Sequence, residues 1–151
     1  MSIIDETFFL TRHGQSAGDF PAGLIDAHLN DAADELSILT SETTYQEVEV
    51  IYFKDPNDRT LDEAKMLSAF QRAEAELVMM VLIPKLNVKI GREGIVTSSY
   101  SKTFGEGNFK TATPDEIEKI KNTYLDRARS LVKKYIPEPG WILSTVTTEE
   151  T

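Results

Sequence analysis

The chain has no cysteine, only two histidines and a single tryptophan in 151 residues. Without cysteine there is no disulfide and no thiolate metal site, and nothing points to an oxidising compartment. Long apolar runs are missing too: the longest, LVMMVLIP at residues 77–84, is far below the ~20 residues of a membrane span. The opening MSIIDETFF has no basic stretch ahead of an apolar segment, so no secretory signal is expected. Positive charge is scarce, with 16 Lys and Arg against 25 Asp and Glu and a formal charge of −9. That balance argues against a general nucleic-acid binder, because phosphate contacts need clustered cations, and it leaves proteins as the expected partners. What is present, 40% hydrophobic and 27% charged residues, is the composition of a soluble globular protein. A chain of this length has room for one domain with a real core.

Two histidines are a severe limit on one tempting motif. FFLTRHGQS, residues 8–16, resembles the phosphate-binding start of the histidine phosphatases, where a short apolar strand delivers an Arg-His-Gly triplet. That resemblance implies His13 as nucleophile, Arg12 as phosphate ligand and Gly14 as the tight turn. The chemistry also needs a distant second His and Arg and a proton donor for the leaving group. His28 is the only other histidine, and it is followed by Leu29 where the family has Gly. A strand end followed by a polar turn is therefore the plainer expectation for residues 8–16, since a short motif without its complement is weak.

LIDAHLNDAADELSIL, residues 24–39, places Ile25, Leu29, Ala32, Leu36 and Leu39 at steps of four and three, one apolar helical stripe. Asp26, Asn30, Asp31, Asp34 and Glu35 lie mostly off it and form a solvated or partner-facing acidic side; His28 reads as an edge histidine. TTYQEVEVIYF, residues 43–53, alternates β-branched and aromatic residues with Gln and Glu, which predicts a strand. DPNDR, residues 55–59, has the acidic look of a calcium loop, but Arg59 stands where an oxygen ligand is needed and Thr60 where Gly is needed, so it reads as a turn. Thr60 with Glu63 then forms a capping box that opens a long helix. Its stripe is Leu61, Ala64, Leu67, Phe70, Ala73, Leu77 and Val81, and from residue 77 to 83 it turns apolar all round, which suggests a subunit neighbour, with core packing as the alternative.

GIVTSSYSKTFGEGNFKTA alternates through small hydroxyl residues, and GEGN at 105–108 supplies a turn, so a β-hairpin is expected at about 95–112. No Gly-Lys-Ser/Thr follows the glycine pair, which removes a nucleotide loop. TPDE, residues 113–116, is the strongest helix start in the chain, with Thr113 as N-cap, Pro114 first in the helix and Glu116 closing the box. Ile117, Ile120, Tyr124, Ala128, Leu131 and Tyr135 form its stripe, Lys133 and Lys134 complement its C-terminal dipole, and PEPG at 137–140 stops it. The expected fold is mainly α: a bundle of three principal helices at about 24–39, 60–83 and 114–136, with a projecting hairpin, forming a domain of residues 1–140 and an extended tail of residues 141–151. Trp141, Ile142 and Leu143 form an apolar cluster on that polar tail and are candidate partner anchors.

The order of these elements, read chiefly over residues 60–136, resembles the head–tail connector (adaptor, or head-completion) proteins of tailed bacteriophages. The long helix with its AEAELV core, GIVTSSYSKTFGEGNF in the hairpin position, and the acidic-start helix with Tyr124 and Tyr135 carry the resemblance; segment 43–53 departs from the shortest adaptors. The resemblance implies a structural virion protein of the neck, made in the host cytoplasm. Its copies would form a ring, typically of twelve, beneath the portal and extend the DNA channel, with the portal and other neck or tail proteins as partners. DNA would pass an acidic wall without specific binding. No catalytic group, cofactor or metal is implied. Tyr100, Phe104 and Phe109 of the hairpin join Trp141, Ile142 and Leu143 as partner-binding candidates, and most contacts of residues 141–151 are expected with another chain. A histidine-phosphatase-like hydrolase using Arg12, His13 and Gly14, and a small helical module that binds an unrelated protein as monomer or dimer, remain the alternatives.

Overall fold

The computed structural model describes residues 1–86, 89–91, 94–96 and 109–137, and among them the fold is mainly α. Five α-helices run in chain order: α1 Glu6–His13, α2 Leu24–Leu39, α3 Glu42–Phe53, α4 Leu61–Leu82 and α5 Pro114–Leu131. α4 is the axis of the bundle, and α2, α3, α5 and α1 all pack on it. Its start is fixed as the sequence suggests: Thr60 Oγ1 accepts from Glu63 N at 3.1 Å while Glu63 Oε1 accepts from Thr60 N at 3.0 Å. These two bonds satisfy donors that the first turn would otherwise leave orphaned. Thr113 and Glu116 repeat the device at α5, with Pro114 at the first helical position.

From Ala73 to Met79 every residue of α4 is buried. The all-round apolar end, expected from the sequence to meet a neighbouring subunit, is largely covered within its own chain: Leu77, Val78, Met79, Leu82 and Ile83 are buried and Met80 and Val81 partly so. Pro84 sits inside the 3-10 turn Ile83–Lys85 that ends α4, since proline lacks the N–H that the helix would need next. α5 ends at Leu131 rather than near 136, and buried Val132 leads into a further 3-10 turn, Lys133–Tyr135. The DPNDR turn is a 3-10 turn, Pro56–Asp58, capped by the Asp55 carboxylate.

Three expectations need correction. Residues 43–53 are helix α3, not a strand. Ser41 Oγ caps it by accepting from Thr44 N at 3.0 Å, and Tyr45, Val48 and Ile51 are buried at a spacing of three, facing α4. The alternating residues that suggested a strand do not share a face, because Val50 stays 62% exposed; packing overrides β-propensity. Residues 8–13 are likewise helical. Asp5 Oδ1 caps α1 through Phe8 N at 2.8 Å, and Gly14 ends it at φ 63°, a left-handed position that a residue with a Cβ adopts only under strain.

The third correction concerns the hairpin at 95–112. The strands β1 Lys89–Gly91, β2 Gly94–Val96 and β3 Phe109–Thr111 form an antiparallel sheet in the order β2-β1-β3. Lys89 pairs with Val96 on one side and Thr111 on the other, and Ile90 with Ile95 and Lys110. Residues 94–96 and 109–111 therefore pair with β1 and not with each other. A reversal between Gly91 and Gly94 closes a much shorter loop than one across 97–108, at lower entropic cost. The GEGN turn itself lies outside the described residues.

Phe70 is fully buried beside Tyr45 and Tyr135, with ring centroids at 6.5 and 5.4 Å. Phe70→Ala should destabilise the fold by about 3–5 kcal/mol, against about 1 kcal/mol for loss of the Thr113 cap in Thr113→Ala. Chemical denaturation checks both; a Phe70→Ala cost below that of Thr113→Ala contradicts the placement of the core.

Candidate functional site

Two buried carboxylates interrupt the apolar middle of α4, and both gather polar neighbours from the N-terminal part of the chain. Glu74 is fully buried. Its Oε2 accepts from Ser2 Oγ at 2.8 Å and from the Ile3 N–H at 3.0 Å, while its Oε1 accepts from the Tyr45 hydroxyl. Gln71, one turn earlier, donates to the Ile3 carbonyl at 3.0 Å, so the extended segment before α1 is bolted to α4 at both of its polar edges. Burial raises the Glu74 pKa from 4.5 to about 7, against the lowering effect of its three donors. Burial, with the Glu74 charge beside it, also pushes the Tyr45 hydroxyl well above its usual value.

Glu76, two residues on, reaches the end of α1. Arg12 Nη2 lies 3.1 Å from Glu76 Oε1, and His13 Nε2 lies 3.0 Å from the Ala75 carbonyl and 4.0 Å from Glu76 Oε2. The His13 side chain is only 8% exposed, and its ring meets Phe9 at a tilt, with centroids 4.9 Å apart, and Tyr124 edge-to-face at 5.8 Å. Burial lowers the His13 pKa, partly offset by the Ala75 bond and the Glu76 charge. A carbonyl can only accept, so in the neutral ring Nε2 carries the proton and donates to Ala75. Arg127 lies over the Tyr124 ring at 5.1 Å, and burial raises the Tyr124 hydroxyl pKa. Together Arg12, His13, Gln15, Glu76, Tyr124 and Arg127 line a cavity of about 390 Å³. Among the described residues, Glu76 Oε2 and Gln15 Oε1 have no hydrogen-bond partner there.

The triplet Arg12-His13-Gly14 thus sits at the C-terminal end of a helix, where backbone carbonyls concentrate negative potential, not at a strand end feeding an anion cradle. His28 does not line this cavity; its Nδ1 pairs with Asp31 of the same helix at 2.7 Å. Among the described residues no group of His, Asp and Glu is arranged to hold a metal. Of the partner-binding candidates, Trp141, Ile142, Leu143, Tyr100 and Phe104 lie outside the described residues, and Phe109 opens β3, its backbone paired with Gly91. The sequence reading missed Glu74 and Glu76. Their signal was visible as two acids inside AEAELVMMVL, where a helix that is apolar all round has no free side on which to expose both.

Comparison of the chain with protein-family models, with curated proteins and with solved structures finds no match to any.

Glu74 gives a signed pH dependence. Its folded pKa, about 7, lies above the ordinary 4.5, so the folded state holds the proton more tightly than the unfolded chain. Its contribution should therefore fall as pH rises from about 4.5 to 7 and level off above that. Glu74→Gln should flatten this window in a denaturation series, whereas an unchanged profile would contradict the assignment.

Proposed function

We propose that this chain is a structural subunit of a bacteriophage neck, a head–tail connector whose copies form a ring beneath the portal and extend the DNA channel. The observation that carries the reading is the insertion of a small antiparallel sheet, β1 to β3, between the two helices that pack most closely, α4 and α5. A helical body with a β-segment let in at one end suits a ring subunit, which needs a rigid wedge and a separate element to meet the next layer. The formal charge of −9 per chain suits a channel wall that repels phosphate. The portal and neighbouring neck proteins are the proposed partners, the virion is the proposed location, and residues 141–151 are the proposed attachment element.

A phosphoryl-hydrolase reading keeps one observation in its favour, the cavity that holds His13 between Arg12 and Arg127. Against it, Arg12 is committed to Glu76 and the His13 Nε2 proton to Ala75. An assay on phosphate esters should find equal background activity in the parent and in His13→Ala; loss of activity only in the variant would favour the hydrolase.

Deletion of residues 141–151 should leave the helical circular-dichroism signal and unfolding midpoint unchanged while abolishing incorporation into particles. A truncated chain that still joins particles at full occupancy would remove the attachment role.

A further inference from the structure

Charge in this chain is unevenly distributed, although α5 itself opens on Asp115, Glu116 and Glu118 before its cations. Residues 24–53, covering α2 and α3, carry seven carboxylates and no lysine or arginine. Asp26, Asp31, Asp34, Glu35, Glu42 and Glu47 among them are exposed. Residues 119–134, most of α5 and the turn after it, carry six cations against the single carboxylate Asp126. Lys119, Arg127, Arg129, Lys133 and Lys134 are exposed. α2 and α5 each pack chiefly on α4, and the two sets approach each other where Glu47 and Lys134 line one pocket. Among the described residues no ion pair joins one set to the other.

Such clustering works against the isolated fold, because like charges on neighbouring turns repel. The acidic flank also leaves large apolar side chains in solvent: Ile38 is 79% exposed, Val50 62% and Phe53 69%. Acids interleaved with exposed apolar groups match a surface of lysines and arginines, whose heads pair with carboxylates while their alkyl stems cover apolar side chains. The chain carries such a surface from Lys119 through the turn Lys133–Tyr135.

We propose that the α2–α3 flank of one copy docks on the α5 flank of the next. The two surfaces differ, so the contact is head-to-tail, and repetition of one such contact generates a closed ring or an open filament. This assignment rests on the ring reading above and names the faces that build the ring.

Charge exchange tests it. Asp31→Lys with Glu35→Lys cuts the formal charge of residues 24–53 from −7 to −3, and Arg129→Glu with Lys133→Glu cuts that of residues 119–134 from +5 to +1. All four positions are exposed, and circular dichroism checks that each variant is folded. In sedimentation at low ionic strength the parent should self-associate, less so in high salt, and each variant alone should associate at least tenfold more weakly. An equimolar mixture of the two variants should regain assembly, because opposite flanks meet again. A parent that stays monomeric at every concentration, variants that assemble like the parent, or a mixture that fails to assemble would each overturn the interface. Failure of the connector reading is distinguishable: rings that form in solution from a chain absent from particles would sink that reading and leave this interface standing.

Discussion

The whole structure hangs on a helix whose middle, Ala73 to Met79, is buried on every side and yet contains two carboxylates. Taking Glu74 and Glu76 out of water is unfavourable unless each recovers hydrogen bonds or an opposite charge. Glu74 recovers three donors from Ser2, Ile3 and Tyr45, and Glu76 recovers Arg12. Those partners come from the N-terminal segment, α1 and α3, so the desolvation of α4 fixes where three other parts of the chain must lie. The apolar contacts with α2 and α5 then close the remaining sides. Specificity enters through the acids, and the bulk of the burial through Phe70, Leu77, Val78 and Leu82.

What was legible beforehand follows from this arrangement. α2, α4 and α5 were readable because each has an apolar stripe of helical period, and α4 and α5 add clear boundary signals: the Thr60–Glu63 and Thr113–Glu116 boxes, and Pro84 near the end of α4. α3 was misread because its Val, Ile, Tyr and Phe content favours strands; the Ser41 cap is local and was overlooked, while the burial of Tyr45, Val48 and Ile51 against α4 is tertiary. α1 is too short for a periodic signal, and only Phe9 of its eight residues is buried. The sheet was half-legible: residues 95, 96 and 109–111 are strand, but the central partner β1 is three residues of ordinary composition that pair locally with β2 and over a long range with β3.

The same contrast holds for the candidate site. Arg12, His13 and Gly14 attract attention as a triplet, yet helix geometry turns His13 inward onto the Ala75 carbonyl and Arg12 onto Glu76. The motif is spent on joining α1 to α4. The contrast in charge between residues 24–53 and residues 119–134, however, is fully present in the sequence, and becomes meaningful only once the elements that carry them are seen to pack on a common axis.

The proposed connector role makes a demand that solution behaviour alone does not meet: the chain must be a permanent part of the finished particle. Quantitative mass spectrometry of virions purified from the source that encodes the chain, with labelled antibody marking its position, tests this most directly. The connector assignment predicts a fixed number of copies per particle, confined to the single vertex that bears the tail. Absence of the chain from full, tailed particles, or its distribution over the whole capsid surface, would contradict it.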